Sequence, residues 1–96
     1  MRIITNRRLV EFAMRYPDAA GPLQTWRRAM EQHTFTSYSA LRQLFGSVDK
    51  VDDLYVFNIG GNKYRLIAFL HDQHQHAYIK QVLTHAEYDR NAWRKP

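Results

Sequence analysis

From Leu9 to Met30 the apolar residues return every three or four positions, and from Leu54 onward β-branched and aromatic residues gather in short runs. The first spacing belongs to helices, which turn once in about 3.6 residues, and the second to strands, which alternate their faces. Ile3 and Ile4 predict a short edge strand over residues 1–5. Leu9, Phe12, Ala13 and Tyr16 then predict a helix capped at Thr5 or Asn6, with Arg8, Glu11 and Arg15 on its polar stripe and an end before Pro17. Asp18 can cap a second helix carrying Ala19, Leu23, Trp26 and Met30, although Gly21-Pro22 can delay its start. Arg27, Arg28 and Glu31 would face solvent. A third helix fits residues 37–45, stopped by Gly46 beyond its last turn.

Tyr55-Val56-Phe57 and the run 64–69 flank Gly60-Gly61-Asn62, which predicts a β-hairpin whose glycines allow positive φ. A third strand over 77–83 follows the polar turn Asp72-Gln73-His74-Gln75 and completes an antiparallel meander. Thr84 and Glu87 stand at capping-box spacing, so a helical turn begins there. Helices first and strands afterwards predict an α+β fold of one domain over residues 1–96. Its N-terminal helices would pack on one face of a small antiparallel sheet, leaving the other face partly open to a single strand of nucleic acid.

Composition narrows the function. The 96 residues are 45% apolar and 14% aromatic, enough for a packed core, and contain no cysteine, which excludes disulfides, thiolate nucleophiles and Cys-ligated zinc. A net charge of +5, concentrated in the first fifty residues, favours polyanionic partners. Arg7, Arg8, Arg15, Arg27 and Arg28 could touch RNA, or simply form the solvated faces of amphipathic helices. No apolar run approaches the roughly 18 to 20 residues that span a bilayer, and the N-terminus lacks a secretory core, so a cytoplasmic protein without membrane contact is expected.

Arg65 is the first candidate for chemistry. It falls on the same predicted strand face as Lys63, Ile67 and Phe69, and a guanidinium among apolar neighbours needs an anion. That anion is a phosphate or a carboxylate of Asp52, Asp53 or Asp89, unless the side chain is solvated at a strand edge. His85 and Tyr88 share one side of a helical turn, with Asp89 four residues after His85. A histidine exchanges protons near neutrality, and a neighbouring carboxylate can set its tautomer, as cleavage of RNA through its 2′-OH would require. The same residues could merely pack and cap the turn. Lys80 can add a positive charge to the site or be solvated. His71, His74 and His76 lie on a flexible, glutamine-rich turn, which disfavours zinc. Gly60-Gly61 lacks the lysine motif and following helix of a phosphate-cradling loop.

The stretches Tyr55-Val56-Phe57-Asn58-Ile59-Gly60-Gly61-Asn62-Lys63-Tyr64-Arg65-Leu66 and Tyr78-Ile79-Lys80-Gln81-Val82-Leu83-Thr84-His85-Ala86-Glu87-Tyr88-Asp89, with the order of elements, resemble the HigB toxins of type II toxin-antitoxin systems. These are members of the RelE/ParE superfamily. The resemblance spans about residues 1–90. It implies a RelE-like, microbial ribonuclease-type fold that enters the ribosomal A site and cuts mRNA without a metal or other cofactor. It also implies a HigA-like helix-turn-helix antitoxin, through which the toxin reaches operator DNA indirectly. On this resemblance Arg65 matches the arginine on the scissile phosphate, Tyr88 and Asp89 the polar pair near the C-terminus, and His85 falls near a basic or histidine position. Taken with the residues' own chemistry, this gives a site in which Lys80 joins Arg65 on the phosphate, His85 exchanges the proton, Tyr88 orients the nucleotide, and Asn62, Lys63 and Asp89 bind flanking RNA. Relatives often carry paired basic residues or a histidine ahead of the hairpin, where this chain has only Lys50, so the general base stays open. A ParE-like gyrase inhibitor and a plain basic RNA-binding module are the alternatives.

Overall fold

The apolar stripes of two helices meet one face of a five-stranded sheet in a computed structural model that describes residues 1–90 and Trp93. In chain order the elements are β1 (Arg2–Ile4), α1 (Arg7–Arg15), α2 (Ala20–Glu31), α3 (Tyr38–Leu44), β2 (Asp49–Val51), β3 (Leu54–Ile59), β4 (Tyr64–His71), β5 (His76–Thr84) and α4 (His85–Asp89). A 3₁₀ turn, Pro17–Ala19, joins α1 to α2. The strands lie in the order β1-β5-β4-β3-β2. No helix among the described residues is long and apolar enough to cross a membrane.

The α+β class and the β3-β4-β5 meander follow the sequence pattern, but the sheet is mixed rather than antiparallel. β1 runs parallel to β5, with Ile3 opposite Ala77. Thr5 fixes this joint. It sits at φ +66°, and its hydroxyl oxygen accepts a hydrogen bond from the Ile79 amide at 3.0 Å. Its side chain therefore serves β5 instead of capping α1, and Asn6, at the cap position, makes no side-chain cap bond either. At the same edge the Met1 amino group donates to the carbonyls of Met30, in the last turn of α2 where helix carbonyls lack intrahelical partners, and of His33, just past the helix.

Three further boundaries differ from expectation. Asp18 does not cap α2, because its carboxylate is drawn to Tyr64 and Lys63 across the fold. Gly21 and Pro22 fall in the first turn of α2, where the missing proline N–H costs no helical bond. α3 is one residue shorter at each end than 37–45: Ser37 is its cap, accepting from the Ala40 amide at 3.1 Å, and Gly46 is not among the positive-φ glycines. β2 has no counterpart in the sequence reading: its three residues are too few and too polar to show alternation.

Phe57 is the centre of the main core. It is 1% exposed and takes the edges of Trp26 and Phe45 at centroid distances of 5.3 and 5.1 Å. Leu66, Ala68 and Ile79 surround it from β4 and β5. A second, smaller cluster forms on the opposite face of the sheet, where Val56 and Ile67 meet Trp93, with Leu83 and Tyr88 against them. The outer face is therefore covered over this part of β3 and β4. Phe57→Ala is expected to cost about 3 to 5 kcal/mol of unfolding free energy in denaturant melts. Val10→Ala, at a position 48% exposed, should stay within about 0.5 kcal/mol.

Candidate active site

The β3-β4 turn places Arg65. Gly60 and Gly61 adopt φ of +62° and +69°, a conformation costly for other residues, and turn the chain so that Asn58 pairs with Arg65 across the hairpin. On its other side Arg65 pairs with Leu83 of β5. The residue is 8% exposed, the one charged side chain in the core of the described residues. Its Nη1 donates to the carbonyls of Tyr64 (3.1 Å) and Asn62 (3.3 Å), and its Nη2 donates to Asn62 Oδ1 at 2.6 Å. Asn62 thus grips one end of the guanidinium with both its oxygens.

The face of that guanidinium lies 5.5 Å from the centre of the Tyr88 ring, a cation-π contact. Tyr88 is itself held from behind, stacked on Trp93 at 5.2 Å and 12°, while Trp93 Nε1 donates to the Tyr88 carbonyl. α4 delivers Tyr88 because Thr84 and Glu87 form the capping box expected of them, with bonds of 2.9 and 3.2 Å. The His85 amide then donates to the Lys63 carbonyl at 3.0 Å, tying the start of α4 to the turn that carries Asn62.

Arg65 has no carboxylate partner among the described residues; Asp52, Asp53 and Asp89 are not its anion. Three of its five N–H donors are used, and Nε–H and one Nη2–H make no hydrogen bond to the described residues. Those two donors form the edge of the guanidinium that binds an oxyanion in bidentate fashion. A buried cation with protein carbonyls at one end and open donors on one edge is arranged to receive an anion. His85 Nδ1 lies 3.4 Å from Asp89 Oδ2, with side chains 44% and 60% exposed, so a carboxylate stands beside the imidazole at the solvent boundary.

The two lysines lie elsewhere. Lys63 belongs to the turn, not to β4, and its ammonium pairs with Asp18 at 3.1 Å, so it does not extend the Arg65 face as strand alternation predicts. Lys80 is the extra residue of a β-bulge: Ile67 pairs with Gln81 and Ala68 with Ile79, leaving Lys80 exposed and unopposed. No hydrogen bond, ion pair or ring contact joins it to Arg65. The site thus gathers Arg65, Asn62 and Tyr88 by contact, with His85 and Asp89 paired on the short helix that carries Tyr88. The sequence pattern does not single out Trp93, nor the link from Asp18 to Tyr64 and Lys63. A lone tryptophan in a polar tail was the available signal for the first. The second acts over 46 residues and leaves no local trace.

The Asp18 link sets the neighbouring electrostatics. Tyr64 donates its hydroxyl to Asp18 Oδ1 at 2.5 Å, which together with burial pushes the phenol up to about 12. The same bond, helped by the Lys63 ammonium, holds the Asp18 carboxyl below its ordinary 3.8.

Comparison with known proteins agrees with this architecture. The family model HigB_toxin, described as the RelE-like toxic component of a toxin-antitoxin system, matches residues 19–91. The mRNA interferase toxin HigB of Escherichia coli strain K12 is 35% identical over 92 residues, covering 93% of this chain and 88% of that protein. The mRNA interferase HigB of Shigella flexneri matches equally well. That of Escherichia coli O6:H1 is 30% identical over 93 residues, 94% of this chain and 90% of its own.

The Asp18–Tyr64 contact predicts a pH signature at both ends. A raised tyrosine value stabilises the fold fully below about pH 10 and ceases to do so as pH rises through about 12. A lowered carboxyl value stabilises above 3.8 and fails as pH falls through the folded value. The stability gap between wild type and Asp18→Asn should therefore be widest near neutrality and close at both extremes. Melts across pH, with Tyr64→Phe as reference, check this; a gap that is constant with pH would contradict it.

Proposed function

Since the chain belongs to the HigB family of RelE-like toxins, we propose that it is an mRNA interferase in which Arg65 binds the scissile phosphate. The observation that carries the reading is the buried guanidinium without a carboxylate, gripped at one end by Asn62 and presenting two free donors. In the reaction a 2′-OH attacks the adjacent phosphorus, the P–O5′ bond breaks, and charge accumulates on the nonbridging oxygens. Donors fixed in advance at that charge stabilise the transition state more than the ground state. Arg65 supplies them, and its burial strengthens them by excluding water.

His85 is the proton carrier of the proposal, with Asp89 orienting its ring through Nδ1 and leaving Nε2 for the substrate. Its place at the solvent boundary suits proton exchange with either the 2′-OH or the leaving oxygen. Tyr88 fixes the guanidinium plane on one side and offers its hydroxyl to the nucleotide. Lys80, exposed at the bulge, is assigned to a flanking phosphate. Lys63 holds the turn through Asp18 and contributes to RNA only where that pair opens. The described residues bring few strong acids and bases to the site, so in this reading positioning of the mRNA by the ribosome supplies much of the rate. Action on translating ribosomes in the cytoplasm and neutralisation by a HigA-like antitoxin complete the reading.

Mapping mRNA 5′ ends during translation tests it. Arg65→Ala is expected to lower cleavage about a hundredfold or more, the usual loss on removing a donor from an oxyanion site. His85→Ala should lower it by a similar factor, and free RNA should be cut far more slowly than translated mRNA. Undiminished cleavage by a folded Arg65→Ala protein would overturn the assignment.

A further inference from the structure

Phe69 and Tyr78 face each other across β4 and β5, on the sheet face that carries Arg65. Alternation along β4 puts Arg65, Ile67 and Phe69 on that face, and Ile67 already packs with the outer cluster under Trp93. Phe69 and Tyr78 belong to neither apolar cluster, although both are only partly exposed. Their rings touch each other at 6.2 Å and 41°. The row continues from Tyr78 to His76 at 6.0 Å, to His74 at 5.9 Å, and to His71 at 4.5 Å. A cross-strand aromatic pair stabilises a sheet modestly by itself, but five rings in file at a surface far exceed that need.

We propose that Phe69 and Tyr78, extended by His76, form a nucleobase-stacking strip that receives unpaired mRNA bases flanking the bond held at Arg65. Every base has a π-face, so a row of half-exposed rings on a sheet takes single-stranded RNA with little regard to sequence. Four residues of strand separate Phe69 from Arg65, about 13 Å, which seats a base beside the reacting bond and not at it. Charge favours this occupant on one edge: Arg2 stands opposite His76 on β1 and is exposed, and exposed Lys80 follows Tyr78 by two residues on β5. Asp72 in the β4-β5 turn, with Asp52 and Asp53 in the β2-β3 turn, bounds the strip at its far end. His76 here becomes part of an RNA surface instead of a metal site.

This inference rests on the mRNA interferase reading, and its test separates the two. Single-turnover cleavage of mRNA on programmed ribosomes, measured against toxin concentration, gives a half-saturating concentration and a limiting rate. Phe69→Leu/Tyr78→Leu keeps apolar bulk and removes both stacking faces. It should raise the half-saturating concentration at least about fivefold with the limiting rate within about twofold, whereas Tyr78→Phe should behave as wild type. An unchanged half-saturating concentration in the folded double variant would overturn the strip, and so would weakened antitoxin binding without any change toward mRNA, which would give this face to the antitoxin. Should the double variant fold poorly, photo-crosslinking of wild-type toxin to thiouridine-labelled mRNA decides: adducts at Phe69 or Tyr78 support the strip, and adducts confined elsewhere refute it. Failure of the wild-type toxin to cut mRNA on programmed ribosomes would instead fault the interferase reading itself.

Discussion

A guanidinium buried without a carboxylate is costly unless its donors are satisfied, and the architecture around Arg65 is organised to meet that cost only in part. Asn62 accepts at one end with two oxygens, the Tyr64 carbonyl accepts beside it, and the Tyr88 ring covers one face. The remaining edge, Nε–H and one Nη2–H, makes no hydrogen bond to the described residues, and the proposed function gives it to a phosphate. The pattern matches the general tendency for local conflict to collect where a protein acts on something else.

Holding the arginine in this state takes contributions from every layer. The glycine turn sets Asn62 beside Arg65, and Asp18 pins that turn to the helical layer through Tyr64 and Lys63. Tyr64 also packs among Phe12 and Tyr16 of the α1 segment, so the first residue of β4 is fixed on both its polar and apolar sides. From the opposite direction the capping box starts α4, the His85 amide locks it to the turn, and Trp93 stacks behind Tyr88. Long-range packing, more than helix propensity, must stabilise a five-residue helix of this kind.

The sequence disclosed the elements whose signals are periodic or local. The amphipathic α1 and α2, the hairpin at Gly60-Gly61 and the capping box at Thr84 and Glu87 all follow from residue type and spacing. The misses share a different origin. Thr5 and Asp18 are good cap residues that the tertiary structure uses elsewhere, so their side chains bond across the sheet and across the fold. The parallel β1-β5 joint and the bulge at Lys80 are matters of pairing, which alternation along a single strand cannot reveal. Within the site, Arg65 stood out because a charge in an apolar run is a local anomaly. Asn62 was named for RNA and proves to grip Arg65, a contact that exists only once the turn is folded.

On the proposed function, the open edge of Arg65 receives a phosphodiester. Arginine-selective ¹⁵N NMR of the folded toxin, titrated with a 2′-O-methyl RNA oligonucleotide that cannot be cleaved, observes that edge directly. A phosphodiester seated there should give a large shift and slowed solvent exchange of the Arg65 Nε–H resonance, saturating together with RNA binding. An Arg65 resonance that stays in place while the RNA binds would contradict it.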